Sequence, residues 1–333
     1  MGQVPDLPGA APTTQGRSGT CPTLVIPDDA PPVMGPSRAY RTLIERIPAT
    51  YFDTLPGSEA ELIARIHGAE VVINIRSSCR FTETVFAQSG KLKLLSLWGT
   101  GTDNVDLAAA ARHGVTVTNT PGVSAISIAE HCLGLLLAAA RRIPRTDAEI
   151  RQGRWPRGEG VQMHGKTLGI IGLGAIGRRF AQIGAAIGMR VVAWTMHPNP
   201  ALGFTLVDLD QLYRESDVVS IHLRLSAETR GMIGERELGM MKPSAILINT
   251  ARGAIMDEAA LVEALLTGRI AAAGLDVFAV EPLPAGHQLT RLPNVVMTAH
   301  SAGVTPEALE AGLQMAVENV FCFLEGRPAH VVA

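Results

Sequence analysis

Thr167-Leu168-Gly169-Ile170-Ile171-Gly172-Leu173-Gly174-Ala175-Ile176-Gly177 is an apolar pentapeptide that runs straight into a GxGxxG turn. Beyond it, Ile176, Phe180, Ile183 and Ile187 recur at helical spacing. Strand, glycine turn and helix in that order are the context a dinucleotide-binding fingerprint requires. Gly172 permits the tight turn, Gly174 lets backbone come close to a pyrophosphate, and Gly177 lets helix pack on strand. The helix N-terminus then faces the phosphates. The run lies mid-chain, so a sizeable body of structure precedes it.

Working back from this turn, short apolar segments alternate with helical patterns. Strands are expected at Thr23–Ile26, Glu70–Ile75, Lys91–Leu97 and Val115–Asn119, with a helix over Arg38–Ile47. This reads as one α/β unit with parallel strands. A long amphipathic helix, Ser124–Arg141, and a less regular connector containing Trp155 lead to the glycine run. Working forward, five more strands are expected at Arg190–Trp194, Asp217–Leu223, Ala245–Asn249, Ala271–Val277 and Asn294–Ala299. Helical stretches such as Glu258–Leu266 lie between them, making a doubly wound sheet of six strands. The final pattern, Pro306–Glu325, is a helix with no strand after it, expected to pack back on the first unit. The expected organisation is a tail over 1–21, a substrate-binding domain from 22–118 plus 301–333, and an inserted dinucleotide-binding domain over 119–300.

The bulk properties agree with a globular chain of this build. A chain of 333 residues suggests two domains, and 47% hydrophobic against 18% charged residues suffices for buried cores. A net charge of −2 provides no basic field, so neither nucleic acid nor an anionic membrane is expected as partner. Cys21, Cys79, Cys132 and Cys322 lack metal-ligand spacing and read as reduced thiols of a cytoplasmic protein. The first residues show no basic, then apolar, signal pattern. The apolar run near Cys132–Ala140 is too short to span a bilayer.

Ligands of open α/β sheets bind beyond the carboxyl ends of strands. Three residues of the right chemistry sit there. Arg252 follows Ala245–Asn249, Glu281 follows Leu275–Phe278, and His300 follows Val295–Ala299. Singly, each has a structural reading as a turn cap, a solvated loop acid or a satisfied loop histidine. Together, beside a dinucleotide motif, they match the reduction of a 2-oxo acid. An arginine fork holds the carboxylate and polarises the carbonyl. A histidine gives a proton to the oxygen. A carboxylate beside it orients the ring and stabilises the imidazolium.

In this combination the chain resembles the D-isomer-specific 2-hydroxyacid dehydrogenase family. The resemblance rests on six ordered segments: Leu97–Asp106 (LWGTGTDNVD), Asn119-Thr120-Pro121-Gly122, Gly172–Gly177, Ile248–Gly253 (INTARG), Gly274–Phe278 with Glu281-Pro282, and His300. It runs from about Thr23 to the C-terminus. It implies a Rossmann-like doubly wound sheet inserted into a flavodoxin-like α/β domain, with NAD as cofactor and NADP open. Arg252 is implied to bind substrate, His300 to be the acid/base and Glu281 its partner. Ala175 and Ile176 would offer backbone to the pyrophosphate, Thr250 and Ala251 would line the nicotinamide ribose, and Asp276 would contact the nicotinamide side. His222, Leu223 and Ser226 would line the cofactor beyond the Asp217–Leu223 strand. Gly99, Thr100 and Gly101 would face the substrate carboxylate or the nicotinamide. Asp103 and Asn104 are expected to cap the following helix. The resemblance also implies a homodimer, with Ser124–Arg141 and the Trp155 region as candidate interface, and no regulatory domain after the catalytic fold. A second class, a cofactor-regulated corepressor-like binding protein, shares the fold and the triad.

Some positions depart from the family pattern. Thr195 ends the second strand of the cofactor unit, where NAD enzymes usually carry an acid for the ribose hydroxyls. No basic residue clearly replaces it. His197 and Arg224 are within reach of a 2′-phosphate, and Arg224 also reads as a solvated cation. Ala299-His300-Ser301-Ala302-Gly303 replaces the common Pro-His-Ile-Gly. In Arg76-Ser77-Ser78-Cys79-Arg80, which resembles the family's substrate loop, Arg76 is placed to meet a phosphate. Ser78 stands where phosphoglycerate enzymes have a second arginine, and Arg80 is expected to be exposed.

Overall fold

The computed structural model describes residues 21–333. Of the tail expected over 1–21, residues 1–20 therefore lie outside the described residues. Two wholly parallel sheets organise the remainder. The first contains β1 (Leu24–Ile26), β2 (Ala49–Tyr51), β3 (Val71–Asn74), β4 (Leu94–Leu97) and β5 (Thr116–Thr118), in the order β2-β1-β3-β4-β5. This is the flavodoxin-like winding. The second contains β6 (Thr167–Ile171), β7 (Arg190–Trp194), β8 (Thr205–Leu206), β9 (Val218–Ile221), β10 (Ile246–Asn249), β11 (Ala272–Leu275) and β12 (Val295–Met297). Its order, β12-β11-β10-β9-β6-β7-β8, sets β9 and β6 side by side in the middle and winds outward from them both ways, as in Rossmann folds.

Residue pattern explains why these strands sit inside. β3 (VVIN), β4 (LLSL), β9 (VVSI) and β10 (ILIN) are buried along their whole length. Parallel sheets are covered on both faces, so their strands are continuous apolar runs rather than alternating ones. One face of the first sheet carries Val25, Val72, Leu95 and Val117 into a cluster with Leu62, Ile66, Phe81 and Phe86. The other carries Leu24, Ile26, Ile73 and Leu94 against Leu43 and against Leu313, Ala316, Val317 and Val320. Those last four belong to the helix Pro306–Leu324, so the C-terminal helix packs on the first sheet. The second sheet has the same two-sided core.

Three elements differ from the sequence expectation. The second sheet has seven strands rather than six, because β8 adds a two-residue edge. β2 likewise adds a three-residue edge to the first sheet. The connector after Ala125–Arg141 contains a helix, Ile143–Arg151, with no buried residue. Its Ile143 and Ile150 are exposed, so no buried face marks it. Among the described residues, no helix is long and apolar enough to cross a membrane.

Candidate active site

The winding of the second sheet reverses between β6 and β9, and the GxGxxG turn sits at the carboxyl end of that crevice. Gly172 has φ +100°, and a Cβ there would lie 2.7 Å from the His222 carbonyl oxygen. A Cβ on Gly177 would lie 2.0 Å from the Gly172 carbonyl oxygen, so the helix Ala175–Ala186 rests directly on the turn. Gly174 is different. Nothing lies within 4 Å of its would-be Cβ, it is exposed, and it caps the helix without a side-chain acceptor. The first helical amides, including those of Ala175 and Ile176, therefore face an open concavity with no acid in the first turn. That cradle suits a pyrophosphate. His222, after β9, hydrogen-bonds Ser220 Oγ at 2.9 Å, while its buried Nδ1 has no partner. Burial pushes the His222 imidazole down to about 3, so it stays neutral behind the glycine turn. Leu223 packs onto the second sheet's core, and Ser226 Oγ is tied to Glu228 and Thr229. Thr195 is half-buried just past β7, His197 two residues on is exposed, and so is Arg224 beyond β9.

Beyond β10 the chain makes a tight turn braced by one side chain. Asn249 accepts the Ala251 N–H at 3.0 Å and donates to the Arg252 carbonyl at 3.1 Å. Thr250 is buried and its hydroxyl meets Cys132 Sγ at 3.2 Å. This fixes Arg252, whose side chain reaches over to the first sheet. Its Nε lies 3.2 Å from both carboxylate oxygens of Asp103, its Nη2 lies 3.0 Å from Oδ1, and its Nη1 donates to the Ala251 carbonyl at 2.8 Å. A Cβ on Gly101 would stand 2.1 Å from Nη2, so a side chain there would displace the Arg252 guanidinium from this position. Burial alone would raise the Asp103 carboxyl, but the hydrogen bonds and charge of Arg252 outweigh it and hold it below the usual carboxylate value.

Asp103 and Asn104 are thus not the caps expected from sequence. Asp106 caps the helix Leu107–Arg112, accepting the Ala109 N–H at 2.8 Å. Asn104 is buried and donates to Asn74 Oδ1 and to the Cys79 carbonyl, which anchors the 76–80 loop. The Gly99–Gly101 loop is held from the next strand. Thr120 Oγ1 accepts the Gly99 N–H at 2.7 Å, and Asn119 Nδ2 donates to the Thr100 carbonyl at 2.9 Å.

His300 lies past β12 with φ +50°, a left-handed conformation uncommon outside glycine. One residue holds it there. The Asp276 carbonyl accepts the His300 N–H, while its carboxylate accepts those of Ser301 and Ala302, each at 2.9 Å. Asp276 is 1% exposed and also accepts Thr298 Oγ1 at 2.5 Å, with His131 Nε2 bonded to Thr298 at 2.9 Å. Such a network makes a strained turn persist at a site.

His300 Nδ1 meets Glu281 Oε2 at 2.6 Å, and Glu281 Oε1 accepts the Phe278 N–H at 3.0 Å. Burial opposes ionisation of Glu281. The His300 bond, the Phe278 amide and the charges of His300 and Arg252 prevail and hold its carboxyl low. An ionised Glu281 can only accept, so the hydrogen lies on His300 Nδ1 and the Nε2 end is free to exchange a proton. The same charges place Arg252 within electrostatic reach of Glu281, and His300 within reach of Asp103. The three triad residues predicted from sequence thus share one charged cluster.

The 76–80 loop is arranged differently from a phosphate clamp. The Arg76 guanidinium is drawn inward, donating to the Pro31 carbonyl and standing 3.9 Å from Asp29, with its Nε buried and unpartnered. Ser78 and Arg80 are exposed. Sequence reasoning missed Asp103, Asn249 and His131 as members of the site. Asn249 alone had a readable signal, a polar residue closing an apolar strand.

The chain has relatives among known proteins. A family model described as D-isomer specific 2-hydroxyacid dehydrogenase, NAD binding domain, matches residues 133–302. A glyoxylate reductase from Aeropyrum pernix is 45% identical over 256 residues, covering 73% of this chain and 76% of that protein. A D-3-phosphoglycerate dehydrogenase from Methanocaldococcus jannaschii is 39% identical over 83% of this chain, which spans only 53% of that longer protein. A Thermus thermophilus protein of known structure superposes with a TM-score of 0.85 at 39% identity, covering 93% of this chain and all (100%) of that one. By its fold, its ordered motifs and these relatives, the chain belongs to the D-isomer-specific 2-hydroxyacid dehydrogenase family.

Proposed function

We propose that this chain is an NAD(P)-dependent oxidoreductase that interconverts small D-2-hydroxy acids and 2-oxo acids, with His300 as acid/base, Glu281 as its partner and Arg252 as the carboxylate-binding residue. The observation that carries the reading is the 2.6 Å His300–Glu281 pair set in one charged cluster with Arg252. A pyrophosphate would be held by the Gly172–Gly177 turn and the amides of Ala175 and Ile176. The ribose and nicotinamide would lie along Thr250, Ala251 and Thr100, near Asp276. When bound, the nicotinamide supplies or takes the hydride. Arg252 and the Gly99–Gly101 backbone orient the oxo acid and draw electron density toward its carbonyl oxygen. His300 delivers a proton from Nε2 to that oxygen, and Glu281 stabilises the imidazolium before it gives up the proton.

The substrate we infer is unphosphorylated, of the glyoxylate or hydroxypyruvate class. Arg76 is engaged within the protein, and Ser78 offers no charge to a phosphate. Relatives of both names occur, glyoxylate reductase and D-3-phosphoglycerate dehydrogenase, so the choice rests on Arg76 and Ser78. The binding-protein alternative is not favoured, since those relatives are named for reductase and dehydrogenase activity. The domains we propose are 22–118 with 301–333 for substrate and 119–300 for cofactor. We also propose a homodimer in the cytoplasm. Trp155, 74% exposed, with Ile143 and Ile150 on the unburied connector helix, leaves an apolar surface that a second copy would cover.

The test is a panel of 2-oxo acids with NADH and NADPH, followed by loss of absorbance of the reduced cofactor. Turnover of glyoxylate or hydroxypyruvate is expected, and His300→Ala should lower it by about 10²–10⁴-fold. An unchanged rate in that variant would sink the assignment.

A further inference from the structure

We propose that Asp103 is a positioning residue for substrate, presetting the Arg252 guanidinium across the cleft so that two of its N–H donors point at an incoming carboxylate. The proposal rests on the function assigned above and deepens it.

A guanidinium carries one N–H on Nε and two on each terminal nitrogen. Asp103 takes the Nε donor and one Nη2 donor, and the Ala251 carbonyl takes one Nη1 donor. One N–H on each terminal nitrogen is left, which is the pair a carboxylate binds in bidentate fashion. The side chain that does this comes from the other sheet, after β4, and is 149 residues away in sequence. Glycine at residue 101 leaves the pair undisturbed, since a Cβ there would lie 2.1 Å from Nη2 and 2.9 Å from Asp103 Oδ1 and push the two side chains aside. A long side chain that is 27% exposed would otherwise sample many rotamers at the mouth of the cleft. The Asp103 contact removes that freedom before substrate arrives. It also ties the substrate-side loop to the turn beyond β10, so a correctly aimed fork and apposed sheets come together.

A competing arrangement is physically distinct. If Asp103 merely occupied Arg252 until substrate displaced it, removing Asp103 would tighten carboxylate binding. The experiment therefore compares wild type with Asp103→Ala, Asp103→Asn and Asp103→Glu. It reads kcat and KM for the best 2-oxo acid, the dissociation constant of NADH by fluorescence, and that of oxalate with NAD-loaded protein by calorimetry. Asp103→Ala should raise both KM and the oxalate constant by about 10-fold or more. Asp103→Asn, which keeps one acceptor oxygen but no charge, should fall between, and Asp103→Glu should recover to within about 3-fold of wild type. NADH binding should stay within about twofold in all of them. Unchanged or tighter oxalate binding in Asp103→Ala overturns the proposal, as does a wild type that binds no oxalate. An equal loss of NADH binding makes the role merely structural and overturns it too. The oxalate titration needs no turnover. A wild type that binds oxalate but reduces no 2-oxo acid defeats the assigned activity and leaves Asp103 to be judged by its own variants.

Discussion

The chemistry of the site is set by how few atoms of each residue are left over. Asp276 spends its whole carboxylate on Thr298, Ser301 and Ala302, and this holds His300 in a left-handed turn. Glu281 uses one oxygen on the Phe278 amide and the other on His300. What remains free is the Nε2 edge of His300. Glu281→Gln removes the counter-charge, and its single amide oxygen can accept only one of the Phe278 and His300 N–H bonds. Reduction uses the imidazolium that Glu281 stabilises, so kcat should fall about 10- to 100-fold at neutral pH. A wild-type kcat in that variant would show that Glu281 does not assist the histidine. A stability signature follows from the same pairing. The Glu281 carboxyl is held below its unfolded value, so its contribution is complete above the ordinary carboxylate range and is lost as pH falls through the depressed folded value. Residue identities at this level were largely legible, because strand ends and reaction chemistry both single out Arg252, Glu281 and His300. Asp103 was not, because local spacing suggests a helix cap. Its actual partner lies on another sheet, and Asp106 takes the capping role.

At the scale of elements, the strand–turn–helix from Thr167 to Ala186 contains a test of which glycines serve the fold and which serve the ligand. Gly177 has a backbone oxygen 2.0 Å from where a Cβ would stand, and backbone there cannot yield without moving the helix. Gly174 has open space. Gly177→Ala should therefore destabilise the protein by about 1–3 kcal/mol and weaken NADH binding together. Gly174→Ala should keep the melting temperature within a degree or so, yet weaken NADH by about 10-fold by filling the cradle. Thermal melts and NADH titrations of both variants decide it, and equal melting losses in the two would refute the division of roles. Such elements were readable because buried parallel strands are written as unbroken apolar runs. The edges were not. β2 and β8 are two or three residues long and only partly buried, and the helix Ile143–Arg151 buries nothing, so burial left no pattern in their sequences.

Across the whole molecule, the chain crosses from the first sheet to the second at Asn119–Thr120, and the C-terminal residues return to that crossing. Val117 N–H donates to the Ala333 carbonyl at 2.8 Å, and Asn119 N–H donates to the His330 carbonyl at 3.1 Å. Buried Asn319, on the C-terminal helix, donates to the Asn119 carbonyl and bonds His330 Nδ1, each at 2.9 Å. Asn119 in turn holds the Thr100 carbonyl, inside the candidate substrate loop. One run of hydrogen bonds thus links the chain end to the site. None of it is legible in the sequence, since pairing of residues about two hundred positions apart leaves no periodic trace. Deleting 330–333 leaves the Val117 and Asn119 amides and the Asn319 oxygen without protein partners, each costing about 1–3 kcal/mol if it stays buried. The melting temperature should then fall by at least about 5 °C, and KM for the oxo acid should rise several-fold as the Thr100 loop loosens. His330→Ala keeps the backbone bonds and loses only the Asn319 contact, so its effect on both quantities should be smaller. NADH affinity should change less than KM in either variant, because the pyrophosphate cradle hangs on β6 and β9 and of the cofactor's lining only Thr100 is loosened. A truncated protein with wild-type melting and wild-type KM would mean that the returning segment carries no structural tension between the crossing and the site.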